Sequence, residues 1–391
     1  MKEPPAPAVA TTQRIESSPT PKTNPSAAQP AAQTVTWRGI LARLAVCSGT
    51  ALLLYGIIIA GLIEPYVRDG SSAGRVAGVY EGYSSILRHR LDTRSTNSLV
   101  LFWGSSMVRE GVDCARMEAA LPAVSAYNLA VSGDLPCRRL VELPRAKELN
   151  PQKVVIGLSY PEVFEDRLPF EDQIAVLPAT AYAAMPPAAE QLLPVKFHQM
   201  ASRPEWDRFL WKRKFFLPAV FSRVGVGGRG DQLRPGHATE FKAPWVYVQG
   251  IRTEELKRFL ALRKNAYPPY TSGPLGDPAS TLAARSLALL VRQLVEQGTE
   301  VMLVNMPLHP MLDAVVPAER RAALNQFLAT LRSERVSVLD YQDRIPASGF
   351  VDLVHMNAEG RVAFTQLMSE VLTVPHQTAP AKNYTQAQHA L

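Results

Sequence analysis

Apolar residues along this chain fall into two alternating kinds of block. SLVLFWGSS, from Ser98 to Ser106, opens with an apolar run of strand length and is stopped by Gly104. VREGVDCARMEAAL follows with helical character, and Val124 to Leu129 reads as a short strand. A polar turn, SGDLPC, leads into the helical RRLVELPRAKEL, and KVVIGLSY supplies a third strand after Asn150 and Pro151. The pattern resumes downstream. Leu287, Leu290, Val291, Leu294 and Val295 line one face of a helix that Gly298 closes. TEVMLVNMP is a fourth strand, Pro317 opens a helix through Leu324, Phe327, Leu328 and Leu331, VSVLDY is a fifth strand, and Ala358 to Leu372 is a last helix. The strands are apolar at successive positions, as in a parallel sheet covered on both faces. Five such strands interleaved with helices predict a doubly wound, three-layer α/β/α sandwich.

Three stretches fall outside that alternation. Residues 67–97 read as a connector with one helical stretch. Residues from about 165 to 279 are rich in Pro and aromatics without a clear period, and read as an insertion forming a cap or partner surface over the C-terminal edge of the sheet. Within it, RFLWKRKFFLPAVFSR (Arg208 to Arg223) has the composition of a membrane-interface or docking segment, and equally of an ordinary helix with snorkelling basic residues, the favoured reading. Residues 1–36 hold Pro, Ala, Ser and Thr with almost no large apolar side chain, so they read as a disordered tail.

Between tail and connector lies a segment of different character. From Leu44 to Ile63 there are 20 residues without a charge. A helix of that length reaches roughly 30 Å, the thickness of a bilayer's hydrocarbon layer. Residues 37–66 therefore read as a single transmembrane anchor, with Trp37, Tyr55 and Tyr66 as candidate interfacial aromatics. Arg38 and Arg43 precede the run while Glu64 and Asp69 follow it, which puts the tail in the cytoplasm and everything after the anchor outside. A cleaved signal peptide is the less favoured reading, because GLIEPYVRDG offers no small-residue cleavage site. A buried core helix does not suit an uninterrupted apolar run bounded by charges. The resulting plan is tail 1–36, anchor 37–66, connector 67–97, main α/β domain 98–375 and flexible C-terminal tail 376–391.

Composition and charge change little. The net charge of +7 comes from scattered basic residues, and no zinc-finger, helix-turn-helix or RNA-binding pattern accompanies it, so nucleic acid is not an expected partner. Of three cysteines, Cys47 lies in the anchor. Cys114 and Cys137 are either a disulfide, as an oxidising compartment allows, or two unrelated buried thiols. His198, His237 and His376 make no metal-ligand spacing with Cys, Asp or Glu, and neither a metal nor a cofactor is expected.

Two short motifs carry the candidate chemistry. Gly104-Ser105-Ser106 stands at the C-terminal end of the first strand, where doubly wound folds place their sites. A serine there, opening a helix, lies near the positive end of the helix dipole and near free backbone N–H groups. DLVHMNAEG places Asp352 three residues before His355. A serine hydroxyl needs a base within hydrogen-bond reach, and that base needs an orienting group. Asp352 can orient one ring nitrogen while the other faces the serine. His309, after the fourth strand, belongs to the same sheet edge and is a candidate substrate-binding residue, although a structural loop histidine is the favoured reading.

Taken together, these motifs resemble the SGNH (or GDSL) hydrolase superfamily, a flavodoxin-like fold with a strand-end G-D-S nucleophile motif and a late D-x-x-H. G-S-S replaces G-D-S here, so the resemblance implies Ser106 as nucleophile, with Asp352 and His355 completing the triad. YNLAVSGD is similar to the second family block; it implies Gly133 as an oxyanion-hole donor beside the Ser106 N–H, and it places Asn128 and Asp134 where that block has such residues, Asn128 as a candidate substrate contact. The third block departs from the family. Gly157-Leu158-Ser159-Tyr160 stands where G-x-N-D is usual, leaving Ser159 as the candidate third donor. One such donor is typically worth about 3 kcal/mol in the transition state.

The resemblance implies two-step acyl transfer through an acyl-enzyme. The anchor ahead of an outward domain is similar to the accessory proteins of cell-envelope acylation, such as the D-alanyl-transfer protein of teichoic-acid modification and the polysaccharide O-acetylation factors. Those work beside a multi-spanning membrane-bound O-acyltransferase, which implies the same kind of partner here, with a glycan or glycolipid acceptor at the outer side of the inner (cytoplasmic) membrane. Two other readings stay open: a free-standing carbohydrate or lipid esterase, and a catalytically weak glycan-binding or scaffold protein.

Overall fold

The computed structural model describes residues 37–58, 72–164, 173–174, 176–202, 238–242 and 280–373. The expected tails, the Arg208 to Arg223 segment and most of the insertion lie outside these residues. Helix α1, Trp37–Ile58, is the one helix among them long and apolar enough to cross a membrane, and none of its residues is buried. The last five residues of the uncharged run lie outside the described residues.

Five strands form one parallel sheet: β1 Ser98–Trp103, β2 Val124–Asn128, β3 Lys153–Leu158, β4 Glu300–Asn305 and β5 Val336–Asp340, in the order β2-β1-β3-β4-β5. All five coincide with the apolar runs of the sequence. Side chains of one strand point alternately to the two faces. Leu99, Leu101 and Trp103 of β1 join one apolar cluster while Val100 and Phe102 join another. β4 does likewise, with Val301 and Leu303 against Met302 and Val304. Both faces are covered, so both sets of positions must be apolar, and no polar alternation survives in the sequence.

The first cluster is completed by α2 (Ser72–Asp92), α5 (Pro136–Glu148), α7 (Leu282–Val295) and α8 (Ala318–Thr330). The second is completed by α3 (Ser106–Gly111), α4 (Cys114–Ala120) and α9 (Ala358–Thr373). Between α5 and α7 lies α6, Tyr160–Phe164. Two expectations change. The stretch read as a connector holds the 21-residue α2, whose Val76, Val79, Tyr83 and Ile86 are fully buried core residues, so this segment belongs to the domain. The candidate disulfide is absent, because Cys114 and Cys137 are free buried thiols in opposite clusters, on opposite faces of the sheet. Burial, and after it the charge of Asp134, push the Cys137 thiol up to about 12 against the lowering effect of Arg138, which makes it an inert packing group.

With the order 2-1-3-4-5, the chain reverses direction across the sheet between β1 and β3. A crevice opens at the carboxyl ends of strands at such a switch point. The loop after β1 carries Ser105 and Ser106, and the loop after β3 carries Ser159.

Candidate active site

The nucleophile candidate owes its place to two glycines and one asparagine. Gly104 has φ +145, and a Cβ there would lie 2.6 Å from the Gly157 carbonyl oxygen and 2.5 Å from Val108. A Cβ on Gly157 would likewise meet Val108 at 2.2 Å. Two bare backbones thus let α3 settle onto the end of β3. Ser105 caps α3, its Oγ accepting from the Met107 N–H at 3.4 Å, and Ser106 is the first helical residue. Its own N–H is one of the donors a helix start leaves without an intrahelical acceptor. The far side of α3 is fastened by Asn128, whose amide donates to the carbonyls of Val108 (3.1 Å), Arg109 (3.2 Å) and Val112 (3.2 Å) and accepts from the Ala130 N–H. Asn128 is buried and fully committed to backbone, so it is not the substrate contact expected of it.

Asp352 and His355 are brought together by a local turn. Asp352 Oδ1 accepts from the N–H groups of Val354 (2.9 Å) and His355 (2.7 Å), and the Val351 N–H closes on the His355 carbonyl at 2.9 Å. The same carboxylate then reaches the imidazole, Oδ2 lying 2.7 Å from His355 Nδ1. On the other side of the ring, His355 Nε2 lies 2.8 Å from Ser106 Oγ, across 249 residues of sequence. With Nδ1–H donating to the carboxylate, Nε2 is free to accept the serine proton. The three residues therefore form one hydrogen-bonded chain. Asp352 is held below the usual carboxylate range by its bonds from His355 and the two backbone N–H groups, against the opposing effect of burial. His355 is raised above its ordinary value, despite burial, by its bond to Asp352 and by the charges of Glu110 and Asp352.

Glu110 is a residue that motif reading missed. Its side chain is fully buried, one oxygen pairs with Arg109 at 2.7 Å, and the other has no hydrogen-bond partner among the described residues. Burial raises its pKa while the neighbouring His355 and Arg109 lower it. It sits four residues beyond Ser106, one helical turn on, so the helix period was the available signal. His309 proves to be a buried loop residue. Its Nδ1 accepts from the Met311 N–H, its ring meets Phe350 edge to face, and its backbone N–H donates to the Leu353 carbonyl. It steadies the Asp352 loop from behind, and burial lowers its pKa.

The expected oxyanion donors fare differently. Gly133 lies in a turn with φ +65, a conformation that favours glycine, and its N–H has no acceptor among the described residues. The turn is pinned by the next residue. Asp134 accepts from Arg138 at 2.7 Å and Arg139 at 2.6 Å, and both guanidiniums also bind Glu142. Ser159, the expected third donor, is buried, and its N–H donates to Glu162 Oε2 at 2.6 Å. The site thus retains the Ser106 and Gly133 N–H groups as its candidate donors.

The profile of an uncharacterised protein family matches residues 279–375. That segment runs from α7 to α9 and holds Asp352 and His355 but not Ser106. No curated protein matches the sequence.

Proposed function

We propose that this protein is a membrane-anchored serine O-acyltransferase of the SGNH type, a three-layer α/β/α sandwich acting on an exported cell-envelope polysaccharide or glycolipid. The hydrogen-bonded chain from Asp352 through His355 to Ser106 carries this reading. In the proposed reaction Ser106 Oγ attacks an ester carbonyl as His355 Nε2 takes its proton. The Ser106 and Gly133 N–H groups receive the oxyanion, and Asp352 stabilises the imidazolium. His355 then returns the proton to the leaving alcohol, and a sugar hydroxyl resolves the acyl-enzyme. Helix α1 would hold the domain at the inner membrane, its basic flank in the cytoplasm and the site outside, beside a multi-spanning acyltransferase that supplies acyl groups.

One observation favours a second reading. Ser159 is buried with its N–H held by Glu162, and a weak catalyst that chiefly binds glycan for its partner fits a site lacking the asparagine of related sites. Labelling by a fluorophosphonate probe separates the two. A catalytic Ser106 is labelled in the wild type and not in Ser106→Ala. Failure of the wild type to react, or continued reaction of the variant, removes the acyl-enzyme mechanism.

A further inference from the structure

A glycine at 133 permits an oxyanion donor there but does not by itself aim the N–H. Residues 131–134 form a tight turn, closed by the Asp134 N–H donating to the Val131 carbonyl at 3.1 Å, with Gly133 third at φ +65. The φ of Ser132, second in the turn, is not positive. That is the pattern of a type II turn, whose central peptide is rotated by about 180° relative to that of type I. Glycine takes either form without steric cost. In one form the Ser132–Gly133 peptide presents its N–H on a given side of the turn, and in the other it presents its carbonyl there. The choice between them decides whether the Gly133 N–H can serve the site.

Among the described residues, one side chain bears on that choice. Gln173 Nε2 donates to the Ser132 carbonyl at 2.7 Å, across 41 residues of sequence. In a planar trans peptide the carbonyl and the N–H point in opposite directions. Holding the Ser132 carbonyl toward Gln173 therefore holds the Gly133 N–H toward the opposite side, where it has no acceptor among the described residues. Other bonds fix where the turn lies. The Val131 N–H donates to the Gly104 carbonyl at 2.9 Å, two residues before Ser106, and so fastens the turn to the nucleophile loop. That bond suits either form of the turn, whereas the bond from Gln173 to Ser132 suits one.

Gln173 comes from the stretch read as an insertion, and its neighbour is firmly packed. Ile174 is buried in the first apolar cluster, and its carbonyl accepts from the Leu177 N–H at 3.1 Å and from the Tyr182 hydroxyl. Gln173 itself is wholly buried, which is uncommon for glutamine, and its Oε1 has no hydrogen-bond partner among the described residues. Burying an amide with one end unpaired carries a cost that an apolar side chain of similar shape avoids. A glutamine there fits a task for its donor rather than for its packing. We propose that Gln173 is a positioning residue for acylation, holding the Ser132–Gly133 peptide in the form that aims the Gly133 N–H at the oxyanion. This inference rests on Ser106 being the nucleophile, and it gives the insertion a part in the chemistry.

The test is fluorophosphonate labelling of the full chain in detergent, read as the saturating rate and the half-saturating probe concentration. Wild type, Gln173→Met, Gly133→Ala and the double variant are compared, each checked for folding by circular dichroism. Methionine keeps the length of the side chain and removes its donor. Losing one such hydrogen bond should slow the saturating rate about fivefold to tenfold and leave the half-saturating concentration unchanged. Alanine at 133 resists a positive φ and favours the other form of the turn, so it should cost about a hundredfold. With the N–H already turned away, adding Gln173→Met should slow labelling by less than about twofold more. Equal slowing by Gln173→Met in both backgrounds would mean a general loosening and overturns the assignment. So does a folded Gln173→Met with the wild-type rate, a change confined to the half-saturating concentration, or a Gly133→Ala that labels as fast as wild type. Where Gln173→Met or Gly133→Ala does not fold, Gln173→Leu or Gly133→Ser takes its place under the same criteria. A wild type that is never labelled removes the nucleophile reading itself, and the assignment with it.

Discussion

In the proposed acylation, the pH at which Ser106 reacts is set by what surrounds His355. The imidazole must be neutral to accept the serine proton, and Asp352 and Glu110 both raise its pKa. Acylation should therefore rise with pH through a value above that of an ordinary histidine. Removing the Glu110 charge removes one of the terms that favour the imidazolium. Glu110→Gln should move the acidic limb of fluorophosphonate labelling to lower pH while Asp352 keeps the ring oriented. An unmoved limb would mean that Glu110 does not act on His355. The residue scale also shows where motif reading ends. Asn128, Ser159 and His309 sit at the correct sheet edge, yet each is buried and bonded to its own protein. A one-dimensional motif gives position along the chain but not the direction of the side chain.

At the scale of elements, the Gly133 turn depends on a charge cluster that no motif announces. Asp134, Arg138, Arg139 and Glu142 form two carboxylate–guanidinium crossings, and Arg139 also donates to the Leu129 carbonyl at 2.6 Å and lies over the Trp103 ring. Tyr83 of α2 donates to Glu142 at 3.2 Å, so the cluster joins α2, α5 and the end of β2. Two positive and two negative side chains balance within it. Removing one member leaves a buried charge unpaired, which typically costs roughly 3–5 kcal/mol. Glu142→Ala should lower the unfolding free energy by about that amount in chemical denaturation, whereas exchanging the exposed Glu148 for Ala should change it by less than about 1 kcal/mol. Equal effects would show that the cluster is not what holds the turn.

At the scale of the whole molecule, α1 is the proposed anchor that would set where the proposed chemistry takes place. Its 22 residues have no buried member, and a charge at the centre of a membrane helix costs about 3 kcal/mol by insertion scales. The full chain should stay with membranes through an alkaline carbonate wash. Leu53→Arg together with Leu54→Arg should release a substantial fraction. Added protease should cut the domain from the outer side only. Cleavage from the cytoplasmic side would reverse the proposed orientation and remove exported glycan as the acceptor.

The sequence by itself determined the five strands, their parallel pairing in a doubly covered sheet, the apolar N-terminal helix and the Asp352–His355 turn. These depend on short-range patterning: runs that reflect burial on both faces, an uncharged stretch of membrane length, and a carboxylate that bonds its own next residues. It marked Ser106 only through the resemblance of Gly104-Ser105-Ser106 and the late Asp352–His355 pair to a known motif set, since a serine at a strand end is by itself a common helix cap. The tertiary structure alone decided that Ser106 lies 2.8 Å from His355, that Cys114 and Cys137 face opposite ways, that α2 is core, and that Ser159 is held by Glu162. Each of these depends on strand order and on the face toward which a side chain projects. Neither is written in the spacing of residues along one segment, because both arise only when distant segments exclude water between them.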